Sequence, residues 1–129
     1  MKIVVESWDR RFDRLKPVIK KSARKLANFL KKKNFHWEIY LVGEGVMNKN
    51  VLAFPAPKRF PHPDIKGHTL GEVFLNPEYI KKHGEDLLFM LIHGFLHLLG
   101  YNHDKKSDRI IMQKKEQQLM EILKGIHYA

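Results

Sequence analysis

His93 and His97 stand four residues apart in the stretch His93-Gly94-Phe95-Leu96-His97-Leu98-Leu99-Gly100-Tyr101-Asn102-His103-Asp104. On a helix, residues at that spacing share a face with Cβ atoms about 6 Å apart, so both imidazoles can reach one ion. Gly100 stands where such a helix should stop. Its tolerance of positive φ lets the chain reverse and return His103 toward the same point. Three imidazole nitrogens at about 2.0–2.1 Å leave a fourth position for water. A divalent ion held this way lowers the pKa of that water toward about 7 and polarises a phosphoryl or carbonyl oxygen, so the chemistry offered is hydrolytic. Packing is a poor explanation for these rings, because unpaired imidazoles in an otherwise lipophilic helix cost free energy.

What surrounds the constellation narrows its chemistry. The chain has no cysteine, which excludes a disulfide framework and any thiolate ligand. Zinc proteases with helical ligands place a glutamate directly after the first histidine as general base. Here that position is Gly94, which cannot take a proton, so peptide hydrolysis by that route is disfavoured. No general base is evident. Asp104, adjacent to a ligand, is placed to orient an imidazole. His36, His62, His68, His83 and His127 lack partners at ligand spacing and read as ordinary residues.

The elements that must position this group follow from hydrophobic period and punctuation. A length of 129 residues with 43% hydrophobic and 29% charged residues fits a single metallohydrolase domain over 1–129. Lys2 to Ser7 reads as a strand, and the period over Arg11 to Lys33 as an amphipathic basic helix, which accommodates Pro17 if the helix starts there, in its first turn. Strands are expected at 36–42, 51–54 and 69–76. The proline-rich stretch 55–67 reads as a surface loop, and Asn76-Pro77 starts a turn or short helix. Glu85 to Leu99, apolar almost all round, should be a central buried helix. Asp104 or Ser107 is expected to cap a last helix reaching about Lys124, with Ile110, Ile111, Leu119, Ile122 and Leu123 inward.

Charge bears on the partner. The net charge is +10, and residues 1–35 hold twelve basic and three acidic side chains against twelve and eleven in the remainder. Such a field attracts polyanions, and nucleic acid leads among them. Lys20, Lys21, Arg24 and Lys25, followed by Lys31, Lys32 and Lys33, would hold a phosphate backbone without reading sequence. Tyr101 and Trp37 offer rings for base stacking, with core packing the commoner fate for Trp37. The uncharged run Leu87 to Asn102 is too short for a comfortable membrane span, and Arg10, Arg11 and Arg14 sit where a secretory leader would be apolar. A soluble cytoplasmic protein with no membrane partner is expected.

The string HGFLHLLGYNHD resembles the signature of the YbeY family, H-G-x-L-H-L-x-G-Y-D-H, with Asn102 in place of the usual aspartate. Val51-Leu52-Ala53-Phe54-Pro55 is similar to that family's V-L-S-F-P strand and Leu70-Gly71-Glu72-Val73 to its L-G-D-I strand. Met112 with Glu116 resembles residues of its last helix. The resemblance implies an α+β fold, a small mixed β-sheet packed with helices around a central zincin-like histidine helix, with His93, His97 and His103 as metal ligands. It also implies a metal-dependent endoribonuclease acting on single-stranded RNA in ribosomal RNA 3′-end maturation and ribosome quality control, with ribosomal RNA and ribosomal proteins or the small subunit as partners. Three imidazoles suit zinc, and also nickel or another divalent metal. Two departures stand out. Lys49 and Asn50 replace the family's threonine and aspartate, and its upstream arginine has no counterpart between Gly43 and Asn48, leaving Lys49 or Arg59 as the nearest substitutes for a phosphate contact. The rival readings are a non-catalytic RNA- or ribosome-binding metalloprotein and a metallopeptidase-like hydrolase.

Overall fold

Short β-branched and aromatic runs separated by two amphipathic helices and one nearly all-apolar helix build a layered α+β architecture, seen in a computed structural model that describes residues 2–30, 35–56 and 68–128. The elements run β1 (Lys2–Ser7), a 3-10 helix (Arg10–Leu15), α1 (Lys16–Phe29), β2 (Phe35–Leu41), β3 (Val51–Pro55), β4 (His68–Leu75), α2 (Pro77–Lys82), α3 (Leu87–Leu98) and α4 (Lys106–Ile122). The sheet order is β1-β2-β4-β3. β1, β2 and β4 are mutually parallel, and β3 pairs antiparallel with β4 at the edge. Parallel neighbours need a crossover, which α1 supplies between β1 and β2.

Strand alternation divides the sheet into two unlike faces. The row Val5, Ile39, Val73 and Ala53, and the row Leu41, Leu75 and Val51, face the helices. Trp37 lies on the same side, fully buried, with its ring centroid 4.8 Å from that of Phe95 on α3. The alternate rows, Val4-Glu38-Glu72-Phe54 and Glu6-Tyr40-Phe74-Leu52, contribute nothing to that core. α3 rests on the inner face against β3 and β4, with α1 and α4 beside it.

Several expectations are amended. The basic helix is split: Asp9 caps a 3-10 turn, and α1 proper begins beside Pro17 in its first turn and ends at Phe29. Lys31, Lys32 and Lys33 lie outside the described residues, as do positions 57–67 of the proline-rich stretch. Neither Asp104 nor Ser107 caps the last helix. The flanking residue there is Lys105, without a side-chain cap bond, while the Asp104 N–H is taken by Asn102 Oδ1 at 3.2 Å. Ile110 and Ile111 do not point inward; they are 45% and 51% exposed. The buried stripe is Met112, Glu116, Leu119 and Leu123, whose three- and four-residue steps stay on one face while Ile110 falls on the opposite side.

Candidate metal centre

α3 holds the chemistry because both of its ends are fixed. At its start the Asp86 carboxylate accepts from Leu88 N, and Leu87 N donates to the Tyr128 hydroxyl, which in turn donates to Asp86. Burial and the Asp86 charge push that phenol up to about 12, so it remains a donor. At its end Gly100 adopts φ +99°, its N–H donates to His97 O at 3.1 Å, and Tyr101 N donates to Leu96 O at 3.0 Å. This is the paired-bond Schellman termination that a left-handed glycine permits, and it turns the chain back over the last helical turn. Thus the expected reversal occurs, and His103 returns to the two helical histidines.

The three side chains offer ligand atoms that all lie within 4.8 Å of one another. Ring centroids are separated by 4.6 Å for His93 and His97, 5.2 Å for His97 and His103, and 5.8 Å for His93 and His103. His97 Nε2 is 3.1 Å from His93 Nε2. Two nitrogens bound to one tetrahedral ion at about 2.0–2.1 Å would sit about 3.3 Å apart, so the donors fit a metal with small adjustment. Burial, then the neighbouring His93 and His103, hold His97 below the usual imidazole range. A neutral ring is the form that donates a lone pair to a metal.

The carboxylate that sets ring orientation is Glu116 of α4. Its Oε2 accepts from His93 Nδ1 at 3.2 Å, and the residue is buried. With the proton fixed on Nδ1, His93 presents a bare Nε2 to the cluster, the usual arrangement behind a metal-bound histidine. Asp104, expected in that role, is exposed, and no hydrogen bond joins it to a ligand ring among the described residues. The sequence signal for Glu116 is a lone acid within the otherwise apolar stripe Met112, Leu119 and Leu123.

Gly94 has a structural cause. A Cβ built there would lie 2.8 Å from Val73 Cγ1 and 3.2 Å from Val51 Cγ2, side chains stiff at χ1. The helix can reach the sheet only without a side chain at this position, and a glutamate general base has no room.

The expected nucleic-acid contacts fall on other elements. Lys20, Lys21, Arg24 and Lys25 are exposed on α1, whose opposite face buries Ile19, Ala23, Leu26 and Ala27. Lys49 is exposed in the turn before β3, and Arg59 lies outside the described residues. Trp37 is buried in the core and offers no ring face to a base; Tyr101 is half-buried and packs against the core. The 43–50 connection is pinned from within. Fully buried Asn76 donates from Nδ2 to Met47 O at 2.9 Å, and Asn50 Nδ2 lies 3.3 Å from both oxygens of Glu85 just ahead of α3.

A family model described as Endoribonuclease YbeY matches residues 44–124, the segment that carries β3, β4 and every residue of the histidine cluster. A curated relative from Leptospira biflexa, named Endoribonuclease YbeY, is 30% identical over 131 residues, covering 83% of this chain and 83% of that protein. One of the same name from Phytoplasma australiense is 32% identical over 99 residues, 70% of this chain and 60% of the relative. The match to a Wolbachia relative spans only 49% of its length. The solution structure of TM1509 from Thermotoga maritima superposes with a TM-score of 0.55 at 21% identity, over 95% of this chain and 89% of that one, which establishes the shared fold.

Proposed function

The chain belongs to the YbeY family, and from that premise we propose that it is a metal-dependent endoribonuclease cleaving single-stranded RNA, with ribosomal RNA 3′-end maturation and ribosome quality control as its setting. The observation that carries this reading is the convergence of His93, His97 and His103, with Glu116 locking one of the rings. Zinc is the metal best matched to three imidazoles, nickel or another divalent ion being the alternative. When bound, it supplies Lewis acidity at a phosphoryl oxygen and lowers the pKa of nearby water.

The chain's own contributions are positional. Glu116 keeps the Nδ1 proton of His93 in place, so that Nε2 stays an acceptor. His103, on an exposed turn, leaves the solvent side of the cluster open to a substrate. Lys20, Lys21, Arg24 and Lys25 draw in the phosphate backbone, and Lys49 or Arg59 is the nearest substitute for the missing family arginine. Ribosomal RNA as substrate places the protein in the cytoplasm beside the small subunit and its proteins; among the described residues no helix is long and apolar enough to cross a membrane. A peptidase reading is opposed by the wall of Val73 against Gly94.

Cleavage of a labelled single-stranded RNA by wild type and by His97→Ala, matched for folding by circular dichroism, tests the proposal. Loss of cleavage together with loss of about one equivalent of metal per chain supports it. Equal rates would remove the cluster from the reaction, and metal retained without cleavage in the wild type would favour a purely binding role.

A further inference from the structure

The outer face of the sheet is aromatic where a solvated face is ordinarily polar. Trp8, just past β1, is 55% exposed and Phe54 on the edge strand is 50% exposed. They are the ends of one continuous group of rings. Trp8 lies 5.6 Å from Tyr40 and 5.7 Å from Phe74, Tyr40 stacks on Phe74 at 5.0 Å, and Phe54 meets Phe74 edge-on at 5.7 Å. The group runs across β2, β4 and β3, since Tyr40 and Phe74 are register partners and Phe54 sits on β3, with Trp8 joining it from just past β1. An exposed apolar patch of this kind marks a contact surface, and its aromatic composition is that of an interface centre.

Charge selects the partner. In a chain of net charge +10, this face carries Glu6, Glu38 and Glu72, aligned in the same two rows as the rings. Their convergence is felt by Tyr40, whose hydroxyl is pushed up to about 12 by burial and by the charges of Glu38, Glu72 and Glu6. Lys2 and His36 occupy the next row, with His36 Nε2 3.6 Å from Glu38 Oε1. Three carboxylates around a ring cluster repel phosphate, so this is not a second RNA platform despite its rings. They attract cations, which also gain from lying over the faces of Trp and Tyr.

We infer that the outer sheet face docks a lysine- or arginine-rich segment of a protein partner, its alkyl stems lying on the Trp8-Tyr40-Phe74 rings and its cationic heads beside Glu6, Glu38 and Glu72. α3, which carries His93 and His97, packs on the other face of the sheet, so partner docking and RNA cleavage use different faces of it.

Trp8 is a reporter built into the site, because the other tryptophan, Trp37, is fully buried. At low ionic strength, an octa-arginine peptide should change Trp8 emission saturably. The same titration of Trp8→Phe, which keeps Trp37, should be silent. The double variant Glu38→Lys, Glu72→Lys should weaken peptide binding by about tenfold or more. Glu38→Gln with Glu72→Gln should weaken it less, and serves as the test if the reversal does not fold. Octa-uridylate should leave Trp8 unchanged. Quenching of Trp8 by octa-uridylate, strengthened by charge reversal, would instead make the face an RNA platform. Concentration-dependent self-association in sedimentation, with Trp8 shielded in the absence of peptide, would make the occupant a second copy. No response of Trp8 to octa-arginine overturns the inference outright.

Discussion

The two faces of one sheet carry unrelated work, and neighbouring residues belong to different trades. Val73 turns inward and sets the distance at which α3 can rest, so it governs where the histidines stand. Phe74, the next residue, turns outward into the ring cluster it shares with Trp8, Tyr40 and Phe54. Trp37 and Trp8 make the same contrast: one is fully buried against Phe95, the other more than half exposed. Period-two alternation lets a four-stranded sheet serve as chemical scaffold on one side and contact surface on the other, with little cost of change on one side to the other.

Substitutions on the inner side should be felt at the metal and those on the outer side should not. The largest effect is expected at His97→Ala, where RNA cleavage should fall by about 100-fold or more and bound metal should be lost, read by elemental analysis of protein purified without added metal. Glu116→Ala should weaken metal affinity by about 10- to 100-fold in a chelator competition, with Glu116→Gln milder because its amide oxygen still accepts from Nδ1. Gly94→Ala should destabilise the protein by up to about 2 kcal/mol in urea unfolding: overpacking against Val73 costs about 1–3 kcal/mol and is offset by about 1 kcal/mol of helix propensity. Smallest is Trp8→Ala, which removes exposed ring contacts and should cost no more than about 1 kcal/mol, with metal affinity unaltered. A metal affinity that followed Trp8 as closely as Glu116 would dissolve the division between the faces.

The histidine centre was legible because its signals are local. Spacing of four on a helix, a glycine at its end and a third histidine three residues later need no knowledge of the remaining fold, and the α3 termination at Gly100 agrees with that reading. Glu116 was not assigned because its meaning depends on which side of α4 meets α3. The apolar pattern placed Leu119 and Leu123 inward correctly but added Ile110 and Ile111, which are exposed, and so missed that Met112 and Glu116 complete the buried stripe. The aromatic outer face was hidden for a similar reason. β2 alternates Trp37, Ile39 and Leu41 with Glu38 and Tyr40, and an aromatic residue on each face leaves the identity of the buried ring to tertiary packing. The split of the first helix into a 3-10 turn and α1 turns on the Asp9 cap, a single side-chain bond to Arg11 N that periodicity does not register.

All three imidazoles fall within eleven consecutive residues, from His93 to His103, whereas the carboxylate behind His93 arrives from another helix. A ligand set so compact in sequence survives unfolding as a flexible chelator, and whatever affinity the denatured chain keeps is subtracted from the stabilisation that an ion confers on the native one. Metal should therefore raise the melting temperature of this protein less than its affinity alone would suggest, and the gain that does appear should come from what the denatured peptide lacks: the preset helix and the grip of Glu116.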